Sequence, residues 1–169
     1  MFKKISIEEF KENPFTLFKN DYALITAGTI DNHNTMTVGW GTLGVLWRKF
    51  IAIAYVKPNR YTYQFTNDSK YFVLAWFDDS PKSREILKIC GTKSGKDIDK
   101  DKECDLTPFE IDGGIGYEEA RLLIVCEKIY QDDFQKDAFL DQTYNEIYQD
   151  GLLHRRYIGN IVGIYIKGE

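Results

Sequence analysis

Within six residues, Lys57, Arg60 and Thr62 place two cations and a hydroxyl just past the apolar run 50–56. A phosphate dianion leaving water needs such groups: an arginine fork, a second positive charge and short hydroxyl donors. Asn59 adds an amide and Tyr61 a phenol to the same stretch. Pro58 fixes its own φ and pushes Lys57 toward an extended backbone, so the run and its cationic end read as a buried strand followed by a rigid turn. Upstream, residues 34–41 read as a loop. Its Asn34, Thr35 and Thr37 can bond ring edges or phosphate oxygens, with Met36 between them, while Gly39 and Gly41 permit close backbone approach. Trp40 and Trp47 either wall a planar ring or fill the core, since Thr and Trp are also ordinary strand residues. Together the two stretches suit a flat, aromatic, anionic ligand.

Other chemistries are poorly represented. No His, Cys or carboxylate spacing fits a zinc site, and neither a GxSxG elbow nor a phosphate-binding P-loop is present. A ligand site without a nucleophile or an acid pair points to chemistry carried by a cofactor. His33, beside the first stretch, reads as a surface-loop residue. His154, Arg155, Arg156 and Tyr157 form a basic patch that either meets the phosphates of a nicotinamide cofactor, completes a partner subunit's pocket, or is simply solvated. Cys90 has no adjacent base to activate it.

Three segments in one order carry a resemblance. N-T-M-T-V-G-W-G-T-L-G at 34–44, V-K-P-N-R-Y-T-Y at 56–63 and C-G-T-K-S-G-K-D-I-D-K-D at 90–101 are similar to the flavin reductase-like family of FMN-binding split barrels, flavoredoxin-type proteins included. The second motif commonly reads V-R-P-S-R-Y-T in that family and the third C-G-x-x-S-G-R-D-x-D-K, so Lys57 and Asn59 are departures. The likeness runs from about Tyr22 to Asp101, with a weaker echo at Arg155–Tyr165. It implies FMN as cofactor, with Lys57, Asn59, Arg60, Tyr61 and Thr62 at the phosphate. Asn34, Thr35, Met36 and Thr37 would lie along the isoalloxazine edge, Trp40 at a ring face, and Ser94 and Lys100 as further ligand contacts. It also implies a homodimer with pockets at the interface and NADH or NADPH as hydride donor. An FMN electron carrier without a nicotinamide site stands as the alternative.

The elements that must position these groups are mostly strands. Residues 22–30, 50–56, 71–77, 120–130 and 158–166 are rich in β-branched and aromatic side chains between turn residues, and Ser6–Glu12, Ser80–Ile89 and Tyr61–Thr66 carry helical signals. Residues 137–144 fit either state. The fold expected is an all-β-dominated split β-barrel of Greek-key type with peripheral helices, as one domain over residues 1–169. With 22 basic against 26 acidic residues the net charge is −4, which gives no general footprint for nucleic acid. No run approaches the roughly 18 apolar residues of a membrane span. Three cysteines without CxxC spacing suggest reduced thiols and a cytoplasmic location.

Overall fold

The computed structural model describes residues 1–168. Ten strands form in chain order: β1 (Phe2–Ile5), β2 (Ala23–Thr29), β3 (Asn32–Val38), β4 (Gly41–Leu46), β5 (Lys49–Val56), β6 (Tyr71–Trp76), β7 (Pro108–Ile111), β8 (Gly114–Tyr117), β9 (Leu122–Asp133) and β10 (Arg155–Lys167). Four α-helical segments accompany them: α1 (Pro14–Thr16), α2 (Thr62–Asp68), α3 (Pro81–Thr92) and α4 (Lys100–Cys104). Eight strands make one antiparallel sheet in the order β3-β2-β6-β9-β10-β5-β4, with β1 sharing an edge of β10 with β5; β7 and β8 form a separate hairpin. That hairpin turns at Asp112 and Gly113, both at positive φ (46° and 86°), as a two-residue turn matched to strand twist requires.

The sheet is rolled. Its two edge strands, β3 and β4, lie at opposite ends of the strand order, yet only Gly39 and Trp40 separate them in sequence. A link of two residues spans roughly 11 Å at most, so the sheet must curl until its edges nearly meet. No ladder joins them: the barrel is split, with its seam at Gly39–Trp40. Strand β6 shows how both sheet faces are filled. Phe72, Leu74 and Trp76 enter the barrel interior with Ile25, Ile124 and Tyr157, while Val73, Ala75 and Phe77 join Leu123, Tyr117, Ile86 and Cys90 under α3, α4 and the β7–β8 hairpin. Period-2 alternation with both faces apolar is the pattern of a central strand.

The structure corrects three expectations from sequence. Residues 34–38 are not loop but part of β3, paired with β2 from Ala23↔Val38 to Thr29↔Asn32; alternating Thr, Met and Val satisfy a ladder as readily as they would line a loop. Ser6–Glu12 is a turn. The capping-box bond forms, Ser6 N–H donating to Glu9 Oε2 at 2.8 Å, but the segment is too short to repay helix nucleation, and Ile5, Ile7 and Phe10 instead pack on the core. Gly91, beyond the helical signal that ends at Ile89, lies in α3, which runs to Thr92. The remaining signals hold closely: Ser80 Oγ caps α3 by accepting from Ser83 N–H, with Pro81 at the first position, and residues 62–68 are helical. Residues 136–138 and 142–148 are short 3-10 turns.

Candidate functional site

Two adjoining hollows lie along the seam. The smaller, about 90 Å³, is lined by Met36, Asn59, Arg60, Tyr61, Thr62, Ser94, Gly95 and Lys100 among others. The larger, about 310 Å³, is lined by Tyr22, Met36, Thr37, Trp40, Tyr55, Lys57, Arg60 and His154, with Val38, Gly39 and Gly91. Met36 and Arg60 belong to both, so one elongated ligand can run from one hollow into the other.

The small hollow is built for an anion. Lys57, Pro58, Asn59 and Arg60 form a turn closed by Arg60 N–H donating to the Lys57 carbonyl at 3.1 Å, with Pro58 at the position its fixed φ favours. This brings the Arg60 guanidinium back toward α3, where it donates to the Gly91 carbonyl at 2.6 Å. Lys100 is buried at 6 % exposure. Its ammonium donates to the Thr35 carbonyl at 2.7 Å and the Cys90 carbonyl at 3.0 Å, both neutral acceptors. Burial, and secondarily the nearby Arg60 charge, pull its pKa below the usual lysine range. Two cations thus share one small space, and neither has a carboxylate partner among the described residues. A buried ammonium held only by carbonyls is costly unless an anion joins it.

Hydroxyls complete the lining. Thr62 Oγ1 accepts from Asn34 Nδ2 at 2.8 Å, and Ser94 Oγ accepts from Lys96 N–H at 3.2 Å. Each oxygen accepts one hydrogen bond and donates none, so each O–H is left to donate. Gly95 is packed so closely on Asn34 that an added Cβ would overlap the amide; the loop from Ser94 can approach β3 only because residue 95 has no side chain.

The structure distributes the other predicted residues unevenly. Asn59 and Tyr61 line the small hollow, Tyr61 resting edge-on against Phe65. Lys57 does not reach that hollow: it lies in the larger one, paired with Asp150 at 2.9 Å and over the Tyr148 ring. The side chains of Asn34 and Thr35 are buried and engaged inside the fold, Thr35 Oγ1 donating to the Ile25 carbonyl and accepting from Thr26. Thr37 Oγ1 donates to the Leu87 carbonyl at 2.6 Å. The Thr35 carbonyl turns to Lys100 and away from β2, so by the pleat Thr35 and Thr37 aim their backbone groups at the open edge of the sheet. Trp40 is half-exposed and meets His154 with ring centroids 5.0 Å apart.

Sequence reading missed Tyr22, Tyr55, Tyr148 and Asp150. Tyr22 holds an unusual backbone conformation (φ 57°, ψ 155°) at the end of the π-helical turn Leu17–Asp21, which Trp76 Nε1 pins by donating to the Leu17 carbonyl. Its ring lies against Gly39, where a Cβ would come 2.5 Å from the ring. An aromatic after Asp gives no local sign of this; only the seam places it. His154 is kept neutral, its pKa lowered to about 4 by burial and then by the Lys57 charge. Cys90, Cys104 and Cys126 are free and buried, and burial raises all three thiols, which makes them poor nucleophiles.

The rolled sheet and its open seam define the fold as a split barrel, the fold of solved FMN-binding proteins. Solved structures of that class superpose on this chain. A flavoredoxin from Methanosarcina acetivorans matches with TM-score 0.67 at 18 % identity over 87 % of this chain and 68 % of that one. The FMN-binding domain of a flavin reductase-like enzyme from Shewanella baltica gives 0.67 at 15 % identity over 98 % and 77 %. Flavoredoxin of Desulfovibrio vulgaris gives 0.68 at 17 % over 98 % and 77 %. No protein-family model and no curated protein matches the sequence.

Proposed function

We propose that this chain binds FMN along the seam, as a single FMN-binding unit, and acts as an NAD(P)H-dependent flavin reductase. The observation that carries the reading is the pair of cations, Arg60 and Lys100, converging without a carboxylate on a hollow of about 90 Å³. A phosphate monoester supplies the missing charge, and Thr62, Ser94 and Asn59 supply donors around it. The larger hollow accommodates a planar ring between Met36, Trp40 and Tyr22, and the free edge of β3 at Thr35 and Thr37 offers backbone groups to its polar rim. FMN when bound supplies hydride and electron transfer at its ring. The chain's own part is to bind, orient and desolvate: Trp40 would shield one side of the ring from water, and Lys57, ion-paired with Asp150, would border the ring from the wall of the larger hollow. Neutral His154 lines the same hollow.

The neighbouring structures include flavoredoxins as well as reductases, which supports a second reading, an FMN electron carrier served by a protein partner. One experiment separates them. Under anaerobic conditions, FMN-loaded protein mixed with NADH and then NADPH is expected to lose its visible flavin absorbance within seconds. Bleaching by neither nucleotide, alongside rapid reduction by a ferredoxin-type donor, selects the carrier; failure to take up FMN at all overturns both.

A homodimer and a cytoplasmic location belong to the same proposal. Val45, Trp47 and Phe50 on the β4–β5 hairpin are 68 %, 60 % and 48 % exposed, beside an unpaired sheet edge that a second copy would cover. Among the described residues no helix is long and apolar enough to cross a membrane.

A further inference from the structure

His33, expected at the surface, is the centre of a clamp. Its side chain is 9 % exposed; Nε2 lies 2.8 Å from Asp101 Oδ2 and Nδ1 lies 3.1 Å from the Thr29 carbonyl. Both partners are acceptors only, so satisfying both requires a proton on each ring nitrogen, that is, the imidazolium. The second oxygen of Asp101 accepts from the Tyr117 hydroxyl at 3.0 Å. One charged ring thereby ties the β2–β3 turn and β3 to α4, and through Asp101 to β8. Asp101 directly follows Lys100, whose ammonium lines the anion hollow and holds the neighbouring stretch of β3. The groups facing His33 are Asp101 from α4, Tyr117 from β8, and the Thr29 and Ile30 carbonyls; Asp31, Tyr61, Lys96, Asp97 and Asp99 border the groove beside it.

We infer that His33 is a positioning residue for the phosphate site: protonated, it fastens α4 to β3 so that Lys100 is aimed into the hollow, and its deprotonation releases that aim and weakens binding of the ligand phosphate. This rests on the FMN reading above. When the ring loses a proton it must give up either the Thr29 or the Asp101 bond. If the Asp101 bond is lost, the carboxylate is freed to draw the adjacent ammonium away from the ligand. The direction of the His33 shift, upward through its bond to Asp101 against the opposing effect of burial, agrees with the geometry. The His33 contribution to affinity is therefore complete below the ordinary histidine value of about 6.5 and is lost as pH rises through the higher folded value.

The test is FMN fluorescence quenching with the full chain from pH 7 to pH 9, where the phosphate is already a dianion, its second pKa being about 6. Wild-type affinity is expected to drop about tenfold, the scale of one charge-assisted hydrogen bond, with a midpoint equal to that of the His33 imidazole proton resonance followed by NMR on the same protein. His154, the other histidine, titrates far lower and does not interfere. His33→Gln is expected to bind more weakly at pH 7 and to lack the His33 component, Lys100 being present in both proteins. A His33 resonance that titrates with no parallel change in affinity, or a variant that keeps the wild-type profile, overturns the inference while leaving FMN binding intact. Absence of FMN binding by the wild type at pH 7 overturns the functional reading instead.

Discussion

At the scale of single residues, the site is a problem of charge without a partner. Arg60 has one neutral acceptor, the Gly91 carbonyl, so its remaining donors are available to a ligand. Arg60→Ala is expected to weaken FMN binding by about 1.5–3 kcal/mol, the range for hydrogen bonds to charged groups, with riboflavin, which lacks the phosphate, far less affected; isothermal titration with both ligands checks this, and equal losses would remove Arg60 from the phosphate. Gly95 acts through space rather than charge. Gly95→Ala forces the loop off Asn34 and is expected to reduce FMN affinity at least tenfold while lowering apo stability by roughly 1–3 kcal/mol, as overpacking does. Sequence pointed to Arg60 and Thr62 because cations and hydroxyls cluster at a strand end, and to Ser94 and Lys100 only through the family resemblance of residues 90–101. It placed Lys57 with them and His33 outside the fold, because neither the Asp150 pair nor the Asp101 clamp is local: the partners are 93 and 68 residues away.

At the scale of elements, α3 is the piece that holds the hollow together. It presents the Leu87 carbonyl to Thr37, the Cys90 carbonyl to Lys100 and the Gly91 carbonyl to Arg60, all on its last two turns. Its start is secured by Ser80, whose hydroxyl caps Ser83 N–H and bonds Asp78. Ser80→Ala is expected to cost about 1 kcal/mol, read as a lower urea midpoint, with FMN affinity nearly unchanged because the loosened turn is the far end of the helix. Affinity falling in step with stability would show that α3 moves as a rigid lever. This helix was legible in the sequence from Ser80 and Pro81, whereas β3 was not recognised as a strand: its run of Asn and Thr carries the same residue types as a polar loop, and pairing with β2 decides between them.

For the whole molecule, the barrel's charge pairs set opposing limits on stability. His33 has a raised pKa, so its contribution is complete below about 6.5 and is lost as pH climbs through the folded value. His154 is depressed to about 4, so its neutral form contributes above about 6.5 and that contribution is lost as pH falls toward 4. Asp133, lowered first by its hydrogen bonds to Arg155, contributes above its ordinary value and is lost at still lower pH. Apo stability is expected to peak near neutrality; urea midpoints against pH should lose the alkaline slope in His33→Gln and flatten between pH 6.5 and 4 in His154→Gln. The hairpin surface gives a separate prediction: Trp47→Lys should shift a dimer toward monomer in light scattering, and a wild-type protein monomeric at tens of micromolar would remove the dimer from the proposal.

The sequence by itself determined the strand-rich class, the α3 cap and the identity of most groups around the anion hollow, because period-2 patterning, capping residues and turn prolines act over a few neighbours. Tertiary structure alone decided that β3 and β4 meet across two residues, that Lys57 lies in the larger hollow, and that a histidine in a polar stretch is held between Asp101 and the Thr29 carbonyl. Those outcomes depend on which distant segments the rolled sheet brings within about 3 Å, and hydrogen bonds of that reach leave no trace in residue order.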